Sequence, residues 1–210
     1  MYVGRIAAVA RSQAGRNAAL YRVSSRSFPN RTAVDLGGRL AIVPRPGHEG
    51  DVHKNPYIAY DCLRIARDWA VASNGSHTDP IAEKIEQGVP PRDALAVCLL
   101  ALDYEKDQLS TPRIAAVAPL AGETGWLAIV RRDALIVREV ALEPGRAWYV
   151  ATYEHDDVRP EQRVAFDAQT AAQAARQVFD GPGFAQLEKP VTSAAALAAG
   201  GGFELASYSL

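Results

Sequence analysis

The stretch IAAVAPLAGETGWLAIVRRDALIVREVALEPGRAWYVAT, residues 114–152, decides how the rest of the chain is read. Its apolar runs have strand length and are cut at Gly122 to Gly125, at Arg132-Asp133 and at Pro144-Gly145. Turn residues at such intervals are the pattern of an antiparallel meander, here of four short strands. Towards the N-terminus, residues 2–9 and 19–24 read as two strands joined by a polar, glycine-containing turn over residues 12–17, and residues 39–43 as another, stopped by Pro44-Arg45-Pro46-Gly47. Residues 57–72 fit either a strand pair or a helix.

Two helices stand between these strands and the meander. Asp79 before Pro80 reads as an N-cap and first turn, Ile81, Ala82 and Ile85 supply an apolar face, and Gly88 stops the helix. Pro90-Pro91 opens the second, whose residues Ala94, Val97, Cys98 and Ala101 imply burial. Beyond the acidic loop at residues 154–157, residues 170–179 read as a helix and residues 192–199 as a small Ala-rich helix ended by Gly200-Gly201-Gly202. Residues 203–209 read as a last strand that rejoins a sheet. Strands in clusters and helices in pairs argue for an α+β fold over a doubly wound parallel one. No linker or repeat divides the chain, so one domain over residues 1–210 is expected.

Positive and negative charges nearly cancel, with 23 Lys+Arg against 24 Asp+Glu, which points away from nucleic-acid and membrane partners. A bound phosphate needs only two or three well-placed donors, so functional arginines have to be sought locally. Cys62 and Cys98 lie in separate apolar runs without metal-ligand spacing and read as reduced core residues. The apolar run from Ile6 to Ala10 is too short for a signal peptide or a membrane span, so a cytoplasmic location is expected. Asn30-Arg31-Thr32 and Asn74-Gly75-Ser76 then match the glycosylation pattern by chance.

The patterns GxGxxG, HExxH, GxSxG and the P-loop are absent. Dense polar clusters lie instead at the ends of apolar elements, where loops on a scaffold carry function. In YRVSSRSFPNR, residues 21–31, Arg22, Arg26 and Arg31 with Ser24, Ser25, Ser27 and Asn30 suit a phosphate monoester, through guanidinium forks and hydroxyl donors. Asn55-Pro56-Tyr57 is a lesser cluster. SNGSHTDP, residues 73–80, brings Asn74, Gly75, Ser76 and His77 to a helix N-terminus, a place for an anion or oxyanion. Asp103, Tyr104, Glu105 and Lys106, followed by Arg113, could move protons if enclosed. Tyr153 and Glu154 end the meander; Glu154 and His155 are strand neighbours and point to opposite faces.

At these same places the chain resembles the archaeal-type IMP cyclohydrolase family: YVGR at residues 2–5, the run at 21–31, NPYIAYDC at 55–62, SNGSHTDPIAEKI at 73–85, PRDAL at 91–95, LDYEKDQLSTPRIAA at 102–116 and YVATYEH at 149–155. The resemblance runs from residue 1 to about residue 205. It implies a four-layer αββα sandwich similar to the N-terminal-nucleophile hydrolases. It also implies dehydrative closure of 5-formamidoimidazole-4-carboxamide ribotide to IMP, a reaction classed with hydrolases of cyclic amidines, without metal or organic cofactor. Met1-Tyr2 offers no nucleophile of the kind those hydrolases use, so covalent catalysis by that route is not expected. The polar turn at residues 12–17 and the Arg- and Ala-rich C-terminal part depart from the family and leave room for a homo-oligomer of its own kind.

Both reactants of the ring closure sit on one imidazole, so an enzyme has only to hold the reactive rotamer, remove an amide proton and stabilise oxygen charge. On this reading Arg22, Arg26, Ser27 and Arg31 take the phosphate and sugar, with Ser24, Asn30, Asn55, His77, Asp103, Arg113, Tyr153 and Glu154 as further substrate contacts. Asn74 and the backbone of Gly75 and Ser76 take the base or the oxyanion, and Tyr57, Tyr104, Glu105 and Lys106 position and exchange protons. Glu105 leads this last group, because it follows a buried helix and is expected to be desolvated, with a raised pKa. Two other readings are an amidohydrolase with Ser24, Ser25 or Ser27 as internal nucleophile and a purine-ribotide-binding protein without turnover.

Overall fold

A computed structural model describes all 210 residues as thirteen strands and four α-helices. In chain order these are β1 (Ile6–Arg11), β2 (Asn17–Ser24), β3 (Arg31–Asp35), β4 (Arg39–Pro44), α1 (Asp51–Lys54), β5 (Tyr60–Ala66), β6 (Trp69–Ser73), α2 (Thr78–Glu86), α3 (Pro91–Leu102), β7 (Arg113–Pro119), β8 (Thr124–Arg131), β9 (Ala134–Ala141), β10 (Arg146–Ala151), β11 (Arg163–Ala165), α4 (Ala171–Asp180), β12 (Pro190–Ala199) and β13 (Gly202–Ser209). They form two antiparallel sheets, one ordered β11-β10-β1-β2-β12-β13 and the other β3-β4-β5-β6-β7-β8-β9.

Alternation of side chains along each strand sorts the core into three clusters. Ala7, Val9, Ala19, Tyr21 and Val23 of the first sheet meet Leu40, Ile42, Cys62, Ala116 and Ile129 of the second in the cluster between the sheets. The opposite residues of the same strands, Ile6, Ala8, Ala18 and Leu20, pack under α4 with Ala171, Ala174, Ala175 and Val178. Val71, Ala115, Val117 and Ala128 of the second sheet lie under α2 and α3. Central strands therefore have no wet face: β2 and β7 are buried at every position, which is why they read as continuous apolar runs.

Residues 57–72 are a strand pair, β5 and β6, after a 3₁₀ turn at Pro56–Ile58. Three expectations are corrected. Residues 192–199 are not a helix but most of β12: Ala194 and Ala196 face the other sheet while Ala195 and Leu197 face α4. Small side chains are required there because both faces are covered, and Ser193 Oγ donates to the Ala175 carbonyl of α4 at 2.7 Å. Packing overrides the helix propensity of alanine. The last strand of the meander, β10, leaves β9 and pairs instead with β1, Ile6 opposite Ala151. Asp79 is not an N-cap; α2 begins at Thr78 after His77, and the Asp79 carboxylate accepts from Arg64 at 3.0 Å.

Both cysteines are free and buried, Cys62 Sγ donating to the Leu40 carbonyl. No helix is long and apolar enough to cross a membrane.

Candidate active site

At one end of the space between the sheets the apolar lining gives way to polar groups. Tyr21 of β2 and Tyr60 of β5 face each other across the layers with their hydroxyls 2.6 Å apart. Beside them are Arg5, just before β1, Arg31 at the start of β3, and Glu105, beyond α3; both Glu105 and Arg31 are buried. Six buried side-chain polar atoms in the chain lack a hydrogen-bond partner, and four of them are here: Arg5 Nε, Arg31 Nη1 and both Glu105 oxygens. Leaving a buried polar group unpaired costs about 1–3 kcal/mol each, so such a concentration marks a place kept open for a ligand with its own donors and acceptors.

Glu105 is carried there by an abrupt end to α3. Asp103, the C-cap, has φ 55°, a left-handed conformation that turns the chain out of the helix, and its Oδ1 accepts from Tyr104 N at 2.9 Å. The helix does not continue through residues 103–107. Asp107 braces the loop instead, accepting from the Thr111 backbone at 2.9 Å and from its hydroxyl at 2.7 Å. Glu105 N donates to the Thr111 carbonyl at 2.9 Å, which fixes the carboxylate inward. Burial pushes its pKa up from 4.5 to about 7, against the opposing pull of Arg5 and Arg113, whose nearest nitrogens are 3.5 and 3.9 Å away. Desolvation outweighs attraction because neither arginine makes a hydrogen bond to the carboxylate.

Arg113 is set by its surroundings. Its Nε donates to the Asp103 carbonyl at 2.8 Å, and its Nη1 lies 3.5 Å from His77 Nδ1. His77 Nε2 is 2.9 Å from the Ile114 carbonyl and so carries the proton; burial holds the ring pKa down at about 3, leaving it neutral. Gly75 lies against this group: a Cβ there would sit 2.9 Å from Arg113 Nη1 and 3.5 Å from Glu105 Oε1.

Outside the buried cluster is a hollow of about 430 Å³ bordered by Ser27, Phe28, Asn55, Tyr57, Lys106 and Asp107, among others. Tyr57 links the two, since the Arg113 guanidinium lies 5.9 Å from its ring centroid. Next to it, Arg26 lies over Tyr2 at 4.2 Å and Tyr2 stacks on Tyr153 at 6.1 Å. The Tyr153 hydroxyl donates to Thr111 Oγ1 at 2.8 Å. Gly4, at φ +70°, makes that packing possible, because a Cβ would collide with Thr152 Oγ1 and the Tyr153 ring. A hollow of about 640 Å³ elsewhere, bordered by Arg16 and Glu204, is larger but has no buried ionisable side chain, and size does not choose between them.

The model of the family described as IMP cyclohydrolase-like protein matches residues 2–202. The chain belongs to the IMP cyclohydrolase-like family. Relatives named IMP cyclohydrolase include one from Methanocella arvoryzae, 47% identical over 99% of this chain and 98% of its own length, and one from Methanosphaera stadtmanae, 46% identical over 93% and 94%. Another, from Halobacterium salinarum, is 51% identical over 85% and 84%.

With this IMP cyclohydrolase-like family established, the residues expected from sequence can be sorted by where the structure puts them. The structure gathers Glu105, Arg31, Arg113, His77 and Gly75 around the buried cluster, and Ser27, Asn55, Tyr57 and Lys106 around its mouth, with Arg26 and Tyr153 beside it. Tyr104, Lys106 and Asp103 form one group on the outer side of the loop: the Lys106 ammonium pairs with Asp103 and lies 3.5 Å from the Tyr104 ring centroid. Asn30 makes an exposed contact elsewhere, its Nδ2 3.1 Å from His48 Nδ1, and Ser76 is exposed.

Five of the expected residues do not join the site. Arg22 points away from the cluster, its guanidinium donating to Ser24 Oγ at 3.1 Å and to the Phe184 and Leu187 carbonyls; burial lowers its pKa to about 10. Ser24 is thereby an acceptor in the core, with no histidine beside it, and Ser25 Oγ accepts from Phe28 N at 3.0 Å. Asn74 uses its side-chain amide at the start of β7, donating to the Pro112 carbonyl at 3.0 Å and accepting from Ile114 N at 2.7 Å, which anchors the strand that carries Arg113. Glu154 is exposed in the turn after β10, at φ 60°. Sequence reasoning passed over Arg5, Tyr21 and Tyr60. A charged residue directly before an apolar strand, and tyrosines at inward positions of strands, were the available signals.

Proposed function

We propose that this chain closes the ring of 5-formamidoimidazole-4-carboxamide ribotide to give IMP and water, the last ring of de novo purine biosynthesis. One domain, residues 1–210, carries the reaction, its layers forming a four-layer αββα sandwich similar to that of the N-terminal-nucleophile hydrolases. The single observation that carries the reading is the set of unpartnered groups on Arg5, Arg31 and Glu105. The reaction needs a base for one carboxamide N–H and donors for two oxygens that gain charge, the carboxamide oxygen and the formyl oxygen. A carboxylate with a pKa near 7 and two free guanidinium N–H groups match that need.

In the first half of the reaction the amide nitrogen attacks the formyl carbon as Glu105 takes its proton, an acid of the site protonates the formyl oxygen, and a neutral carbinolamine forms. In the second half the C–O bond breaks, protonated Glu105 gives its proton to the departing hydroxyl, which leaves as water, and the formamido nitrogen loses its N–H proton to the group that had protonated the formyl oxygen. Arg31, read from sequence as a phosphate ligand, is better placed for the reacting oxygens, because it is buried with Nη1 free while its Nε donates to the Phe28 carbonyl at 3.0 Å. The phosphate then belongs at the mouth, with Arg26, Ser27 and Asn55. The ribotide reading is favoured over the internal-serine amidohydrolase because Ser24 and Ser25 are tied up in the scaffold and Ser27, the third serine of that reading, is exposed with no base hydrogen-bonded to it.

The test is an ultraviolet assay of the formamido ribotide with purified protein and no added metal, nucleotide or folate. Appearance of IMP supports the proposal; no turnover above background, with IMP still bound, leaves the non-catalytic binding protein instead.

A further inference from the structure

We propose that Tyr60 is the general acid of this ring closure: its phenol O–H gives a proton to the formyl oxygen as the new C–N bond forms, and Tyr21 steadies the phenolate that remains. The inference rests on the cyclohydrolase reading above. Its starting point is a count of donors. Two hydroxyls 2.6 Å apart share one hydrogen bond, so one O–H donates to the other and the second O–H is left over. No protein acceptor takes that second proton. Either hydroxyl could donate in that bond; Tyr21 is completely buried whereas Tyr60 keeps 8% of its surface, and we assign the spare proton to Tyr60.

The surroundings agree with that direction. The titratable groups that face Tyr60 are Tyr21 from β2, Arg31 from β3, Arg5 before β1, and Cys62 two residues along its own strand. Burial raises the Tyr60 pKa, while Arg31, Arg5 and the hydrogen bond from Tyr21 oppose the rise; Tyr21, with Arg5 alone to help its ionised form, is held well above its ordinary value. Tyr60 is therefore the better acid of the pair. The same two arginines also act on Glu105, so acid and base share one charged frame.

Protons balance across the cycle. As the amide nitrogen bonds to the formyl carbon, the C=O π pair moves to oxygen, which takes the Tyr60 proton, and Glu105 takes the N–H proton. A neutral carbinolamine, a phenolate and a carboxylic acid result. The formamido nitrogen then expels the hydroxyl, Glu105 protonates it to water, and the Tyr60 phenolate takes the proton that this nitrogen loses. Both side chains end as they began.

The experiment compares wild type with Tyr60→Phe, Tyr21→Phe and, as a buried tyrosine of the opposite face, Tyr149→Phe. It also uses the protein with a fluorinated, more acidic tyrosine at position 60, which keeps the hydroxyl. Readouts are kcat, KM, IMP affinity and the pH profile of kcat. Tyr60→Phe should lower kcat by about 10²–10⁴-fold, the usual range for general acid–base catalysis, with IMP affinity unchanged. Tyr21→Phe should lower it less and Tyr149→Phe not at all, and the fluorinated residue should move the alkaline limb of the kcat profile to lower pH. Tyr60→Phe with wild-type kcat and only a lower Tm overturns the inference, as does an alkaline limb that the fluorinated residue leaves in place. A wild-type chain inert towards the formamido ribotide overturns the cyclohydrolase reading as well, whereas turnover that survives Tyr60→Phe overturns this inference alone.

Discussion

Replacing Glu105 by glutamine should make the protein slower and shift its stability relative to wild type upward as pH rises. The carboxylate has no hydrogen bond and its pKa is raised from 4.5 to about 7, so ionising it inside the native protein costs about 3 kcal/mol relative to the unfolded chain. Between those two pH values the native state keeps a proton that the unfolded chain has lost. Stability conferred at this site is therefore highest below about pH 4.5, falls as pH rises to about 7, and stays at its lower value beyond. Glutamine resembles the protonated acid and removes that dependence. Thermal melts should show the stability of Glu105→Gln relative to wild type rising by about 3 kcal/mol between pH 4.5 and pH 8, on top of a pH-independent loss from amide N–H groups left unpaired. In the same variant kcat should fall by about 10²–10⁴-fold, and the acid limb of the wild-type kcat profile, with its midpoint near the native pKa of about 7, should vanish. Wild-type kcat across pH 5 to 9 would refute the catalytic role. A stability difference that does not shift in favour of glutamine between pH 4.5 and pH 8 would refute the argument that desolvation outweighs Arg5 and Arg113.

The other expectations are simpler. Arg26→Ala should weaken binding of the ribotide by about 10-fold, less than a buried contact because the side chain is exposed, and leave kcat nearly unchanged; it fails if the dephosphorylated nucleoside loses affinity equally in a binding titration. Gly75→Ala should depress kcat, because its Cβ would meet Arg113 Nη1 at 2.9 Å and push it against Glu105; an unchanged pH–rate profile would count against that geometry. Ser24→Ala should leave turnover intact while lowering Tm through the lost bond from Arg22, and a loss of kcat in a folded variant would reopen the serine nucleophile.

How much of this was legible beforehand varies with the range of the interaction. Strands β7 to β9, helices α2, α3 and α4, and the turns between them follow from local signals: apolar runs, Pro at a helix start, Gly at a break. Glu105 was also legible, through the apolar helix before it, although what buries it is the left-handed turn at Asp103 rather than a continuing helix. Arg22 and Arg31 show where such reasoning stops. Nine residues apart in the same polar run, they look alike; one faces carbonyls of the segment that leads into β12, the other the cavity between the sheets. The face of the strand on which each guanidinium leaves decides this, and the packing partners of each face come from distant parts of the chain.

What the sequence by itself determined is the kind of elements, their clustering and, through its long family-like segments, the class of protein. Periodicity and turn chemistry are short-range, and a resemblance of whole segments survives without coordinates. Tertiary structure alone decided that residues 192–199 are a strand, since only cover on both faces selects alanine for its size rather than its helix propensity. It alone carried β10 to the other sheet. It alone brought Arg5, Tyr21, Arg31, Tyr60 and Glu105, separated by up to a hundred residues, around one buried space. Desolvation and unpaired donors are properties of that enclosed space and not of any residue within it, so the chemistry of the site exists only once the two sheets have closed over it.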